Sequence, residues 1–149
     1  MAKFKFRLQP LLNIKLQLED SAKNELGKAV QKLEEEKEIG RSLLKYRERY
    51  INEFNEKASK MVRIDELRSY TMYISRLAKN IDDQNKNIKE ASDNVDKYRD
   101  ELIKIVKERK ILEKLREKKF NEYLIEMSKD EQKRMDEIVS YKYTDTEVK

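Results

Sequence analysis

Residues 67 to 112 read LRSYTMYISRLAKNIDDQNKNIKEASDNVDKYRDELIKIVKERKIL, and their spacing decides the fold. Steps of three and four pass through Leu67, Tyr70, Ile74, Leu77, Ile81, Gln84, Ile88, Ala91, Val95, Tyr98, Leu102, Ile105, Arg109 and Leu112, of which only Gln84 and Arg109 are polar. The positions between them are dominated by Lys, Glu, Arg and Asp, which leaves no second face to bury. A narrow apolar stripe on an otherwise charged helix is the seam of a coiled coil rather than one wall of a broad bundle.

Upstream, a second frame runs through Leu26, Val30, Leu33, Lys37, Gly40, Leu44, Arg47, Ile51, Phe54, Ala58 and Met61. The two frames do not join. Extending the first places the next seam position at residue 65, whereas the second requires 67, and this offset matches neither a four-residue nor a three-residue insertion. A helix break belongs between them, with Asp65 as the N-cap ahead of Glu66, and Ser59 as the alternative. The economical arrangement is all-α: a long two-helix antiparallel coiled-coil hairpin. Its helices cover about 8–60 and about 66–140, with a turn at about 61–65. Residues 1–140 then form a single hairpin and 141–149 a flexible tail. The alternative is a continuous rod that dimerises with a second copy.

Composition supports this reading and removes others. The 149 residues include 35 basic and 30 acidic side chains but only two glycines and one proline, too little punctuation for a sandwich, barrel or alternating α/β fold. There is no cysteine and no histidine, so disulfides, thiol nucleophiles, common zinc sites and the commonest general base are all excluded. An enzyme is not expected, and no cofactor or metal is implied. The opening MAKFKFRLQPLLNIKLQ lacks the features of a secretory leader, and no apolar run is long enough to span a membrane, so the expectation is a cytoplasmic protein without direct membrane insertion.

The modest net charge of +5 hides a polar distribution. Residues 1 to 15 carry +4 through Lys3, Lys5, Arg7 and Lys15. Residues 104 to 119 carry +5, including Lys107, Arg109, Lys110, Lys114, Arg116 and Lys118. In a hairpin turning near residue 62, position 62 minus k faces 62 plus k, so these segments converge at the open end. A charge run alone reads as a solvated face; two that converge read as a docking end for an acidic protein surface or for nucleic acid. The chain carries no recognised nucleic-acid-binding motif. Beside the first seam, Ile39, Leu43, Tyr46 and Tyr50 form their own stripe, and the same register brings Tyr73 to it. This tyrosine-rich group reads either as a partner surface or as a widened core.

FKFRLQPLLNIK at the start, YTMYISRLAKNI at residues 70 to 81, ERKILEKL and then EQKRMDEI at residues 131 to 138 resemble the signatures of the flagellar export protein family FliJ, in the same order and across nearly the whole chain. The resemblance implies a non-enzymatic coiled-coil stalk of the flagellar type III export apparatus. Its partners would be the hexameric export ATPase, the cytoplasmic domain of the export gate and the escort chaperones of export substrates. The basic end would enter the ATPase ring. Family positions contacting the gate fall on Leu43, Tyr46, Tyr50, Tyr73 and Leu77, while Ile39, Asn80 and Gln84 depart from the family pattern. The expected state is a monomer associated peripherally with the inner face of the cell membrane. A structural scaffold, an injectisome stalk homologue and, further off, a basic nucleic-acid-binding coil are the alternatives.

Overall fold

A computed structural model describes residues 3–60 and 62–147. Two helices account for most of them: α1, Gln9–Ala58, and α2, Ile64–Glu147. Among the described residues there is no strand. Pro10 sits in the first turn of α1, where the amide it lacks would have had no helical partner. The backbone amide of Gln9 donates to the carbonyl of Phe6 at 3.0 Å, which closes the turn leading into the helix.

The connection lies slightly earlier than the seam frames suggest. α1 ends at Ala58 rather than near residue 60, and α2 begins at Ile64 rather than 66. Ser59 caps no helix start: its hydroxyl donates to the carbonyl of Glu56 at 2.7 Å, satisfying one of the orphan acceptors at the end of α1. Arg63 holds the N-terminal position, its carbonyl accepting from the amides of Glu66 and Leu67 at 3.1 and 3.4 Å. Asp65 therefore lies inside the first turn with Glu66, where both carboxylates favour the positive end of the helix dipole. Met61, the last position of the first frame, falls outside the described residues.

The chain groups into two units, each built from parts of both helices: one is the chain up to Glu19 together with Lys104 onward, the other Asp20–Ile103. Within Asp20–Ile103 the helices are antiparallel neighbours. Gln84 of α2 donates to the Glu36 carbonyl at 2.8 Å and to its carboxylate at 2.5 Å, and the rings of Tyr50 and Tyr73 lie 4.4 Å apart. Every α2 seam position from Leu67 to Leu102 is buried or half-buried, with Leu77, Ile81, Ala91 and Val95 among the most enclosed.

On α1 the frame needs correction at every second position. Leu26, Leu33, Gly40 and Phe54 face inward as expected, but Ala29, Glu36, Leu43, Tyr50 and Lys57 alternate with them, and Val30, Lys37, Leu44, Ile51 and Ala58 face outward. Arg47, in register with the inward set, is exposed. Polar and aromatic partners across the seam favour the strip that hydrophobicity does not. Glu36 meets Gln84, Tyr50 meets Tyr70 and Tyr73, and the Lys57 ammonium lies 4.9 Å from the Tyr70 ring centre. Gly40 serves this layer. A methyl group there would lie 3.0 Å from Ile88 Cδ1, so the missing side chain makes room for the close approach of α2.

Among the described residues no large side chain is fully enclosed, since a two-stranded seam is always open along its edges. Stability is consequently distributed over many layers, each well-buried aliphatic contributing up to about 1.5–3 kcal/mol.

In the other unit, Leu12 and Leu112 are buried and the pairs Lys15–Glu108 and Gln9–Arg116 cross between the helices at 2.6 and 3.0 Å. Phe4 packs against Phe120 and Tyr123 with ring centres 5.2 and 5.5 Å away. Residues 128 to 146 of α2 are all exposed, yet the helix runs on to Glu147 instead of fraying near residue 140. Extending an existing helix adds a hydrogen bond per residue without a new nucleation step. The hydroxyls of Thr144 and Thr146 also bond back to the carbonyls of Ser140 and Lys142 at 2.8 and 2.7 Å.

Candidate partner-binding surfaces

The two basic segments meet in one unit. Lys3, Lys5 and Arg7 precede α1 in a non-helical segment, which Phe4 anchors to α2 through Phe120 and Tyr123. The guanidinium of Arg116 lies 5.8 Å from the Phe4 ring centre and donates to Gln9, so it fastens this segment as well as carrying charge. Between the segment and α2 lies a cleft of about 760 Å³, lined by Phe6, Leu8, Leu115 and Tyr123, with Lys3, Lys5, Arg7 and Lys119 around it together with Glu122 and Glu126. Lys107, Lys110, Lys114 and Lys118 project from exposed positions of α2.

Two of the ten basic candidates point elsewhere. Lys15 is half-buried against Glu108, and Arg109 lies in the seam, its guanidinium facing the Glu19 carboxylate and donating to Glu113 at 2.8 Å. Both are committed to partners within the chain. The hydrogen bonds it donates to Glu113, then to Glu19, push the Arg109 guanidinium above its already high ordinary value, so it stays charged. The hydrogen bond from Lys15 holds the Glu108 carboxyl below its ordinary value, and those from Lys32 and then Gln84 do the same for Glu36.

These shifts set an acid limit. A carboxyl depressed in the folded state stabilises the fold above its ordinary value of 4.5, and that contribution disappears as pH falls through the lower folded value. The melting midpoint followed by circular dichroism should be nearly flat from about pH 7 to about pH 5 and decline below about pH 4.5. Glu108→Gln should lower the plateau slightly and make the decline shallower. The effect is small, because Lys15 and Glu108 keep 23% and 36% of their side-chain surface in water. An unchanged decline in the variant would remove this pair from the account.

The tyrosine-rich group divides between surface and seam. Tyr46 and Tyr73 are 51% and 41% exposed, and Ile39 stands beside them in a shallow apolar hollow shared with Leu43 and Tyr46. Leu43 and Tyr50 are half-buried seam residues, and Tyr73 pushes the Tyr50 hydroxyl above its ordinary value. Leu77 is only 4% exposed and belongs to the core. The outward part of this surface is therefore Ile39, Tyr46 and Tyr73. Phe4 was missed as a structural anchor, although the 62-minus-k rule already pairs it with Phe120.

The sequence model of the family described as flagellar FliJ protein matches residues 4–147. The chain belongs to the FliJ family. No curated protein sequence matches it. Among solved structures, one described as a YscO homologue from Chlamydia trachomatis is similar, with 22% identity, a TM-score of 0.77 and 99% of each chain covered. At that identity the likeness speaks for the fold: a pair of long helices matched over nearly their entire length.

Membership of the FliJ family ties the chain to the flagellar type III export apparatus. Among the described residues no helix is long and apolar enough to cross a membrane, and no group of carboxylates is arranged to hold a metal ion. The candidate surfaces are a cationic group with an aromatic cleft in the unit that holds Lys104 onward, and a flank bearing Tyr46 and Tyr73 within Asp20–Ile103.

Proposed function

We propose that this FliJ-family chain is the non-enzymatic stalk of the export apparatus, acting in the cytoplasm at the inner face of the cell membrane. Its basic end enters the ring of the hexameric export ATPase, while its tyrosine flank contacts the export gate and the chain handles the escort chaperones of export substrates. The observation that carries this reading is the convergence of Lys3, Lys5 and Arg7 with Lys107, Lys110, Lys114 and Lys118 in one unit. Acidic residues lining a closed ring would meet these cations together, and separate subunits would not. A ligand that binds the assembled state in preference shifts the population toward it.

The test is assembly. Adding the chain to the purified ATPase should increase the hexameric fraction in sedimentation velocity and raise the turnover of ATP. An unchanged subunit distribution at saturating chain would overturn the proposal.

A further inference from the structure

The strip of α1 that lost the seam remains at the surface. Val30, Leu44 and Ile51 are 40%, 46% and 37% exposed, and their spacing in multiples of seven aligns them along one flank. The antiparallel register puts Ser92, Ala78 and Thr71 of α2 beside them, residues too small to cover them. Within Asp20–Ile103, the charged positions of this flank are Lys23, Lys37 and Arg99, all cations. Lys37 and Arg99 reach only exposed acids of their own helices, Glu34 and Asp96, each at 3.8 Å, and such pairs contribute little. The opposite flank, which bears Tyr46 and Tyr73, mixes both signs along its length, with Glu25, Glu53, Glu66 and Glu101 as well as Lys32.

We propose that this second flank is a docking groove for an acidic amphipathic helix of a partner protein. Leu44 and Ile51, seven residues apart, stand about 10.5 Å from one another, and Val30 lies two such repeats, about 21 Å, from Leu44, the spacing of a packed helix. An extended peptide places its same-face side chains about 6.8 Å apart and does not match. Small residues on the α2 side let a third helix approach to the usual 8–10 Å. Glutamates or aspartates beside its apolar stripe then meet Lys37 and Arg99. A second copy fits poorly, because a two-fold contact on this flank brings its cations against those of the other copy.

The experiment measures fluorescence anisotropy of labelled synthetic helices titrated with the full chain. One probe, about four heptads long, carries leucine at its seam positions and glutamate on both flanks. Its sibling carries lysine instead. The glutamate helix should bind at least about tenfold more tightly. Val30→Ser with Leu44→Ser should weaken it about tenfold or more, with the melting curve retained because both side chains are exposed. Lys37→Glu with Arg99→Glu should reverse the preference between the probes. Asn94→Ser on the opposite flank should change nothing. Absence of binding, equal binding of the two probes, or indifference to both groove variants would overturn the proposal. So would a dimer in sedimentation that Leu44→Ser dissolves, since the groove would then belong to a second copy.

Discussion

With Lys110→Glu, Lys114→Glu and Lys118→Glu introduced together, the chain should lose the stimulation of the export ATPase proposed for it while its far-ultraviolet circular dichroism stays as it was. All three residues project from exposed positions of α2, outside the seam, and lysine and glutamate are similar helix formers. The helix has no reason to melt. What changes is the field: the two basic segments together fall from +9 to +3. Association steered by such an end should slow on the order of 10²-fold, and the original chain should lose its advantage as salt approaches about 1 M, where the Debye length shrinks to about 3 Å. Stimulation retained by the triple variant at low salt would show that the cations are a solvated face and that contact is made elsewhere.

The second large effect separates two residues assigned to one surface. Leu77→Ala should lower stability by about 2–4 kcal/mol, because it removes a nearly enclosed side chain from a seam that cannot collapse around the gap. For a chain of this size the melting midpoint should fall by roughly 5–15 °C. Tyr46→Ala, at a half-exposed position off the seam, should stay within about 0.5 kcal/mol. Binding to the gate's cytoplasmic domain, measured by titration calorimetry below both melting points, should weaken in Tyr46→Ala with its melting unchanged. If Leu77→Ala melted like the original chain and lost gate binding, the leucine would be a contact and the seam would have to be redrawn.

Much of this architecture was legible in the residues. The α2 stripe from Leu67 to Leu112 is inward at every one of its positions, because the apolar side chains there have only one face to occupy and the two polar ones, Gln84 and Arg109, pair with Glu36 and Glu19 of α1. The antiparallel register was legible too, since Tyr50 against Tyr73 and Phe4 against Phe120 follow from a turn near residue 62. The α1 stripe was half legible, for a physical reason. From Leu26 onward, positions 30, 37, 44, 51 and 58 hold four apolar residues and positions 29, 36, 43, 50 and 57 hold three, so hydrophobicity favours the strip that faces outward. The outcome depends on hydrogen bonds and ring contacts to α2, a property of the pair that neither helix displays alone. The candidate site was blurred in the same way. Lys15 and Arg109 count as positive charge in the sequence, but their salt bridges turn them inward.

The layer in which Gln84 reaches both the carbonyl and the carboxylate of Glu36, beside Gly40, bears on mechanics. Sliding one helix along the other by a heptad, about 10.5 Å, would carry the amide away from the Glu36 carboxylate to Ala29 or Leu43, neither of which offers a side-chain acceptor. Ile88 would leave the space at Gly40 and meet the bulkier Leu33 or Arg47 of the same strip. Gln84 thus works as a shear key between α1 and α2. Within this unit a push on one helix is passed to its neighbour as shared displacement instead of slippage, which is what the proposed stalk would need.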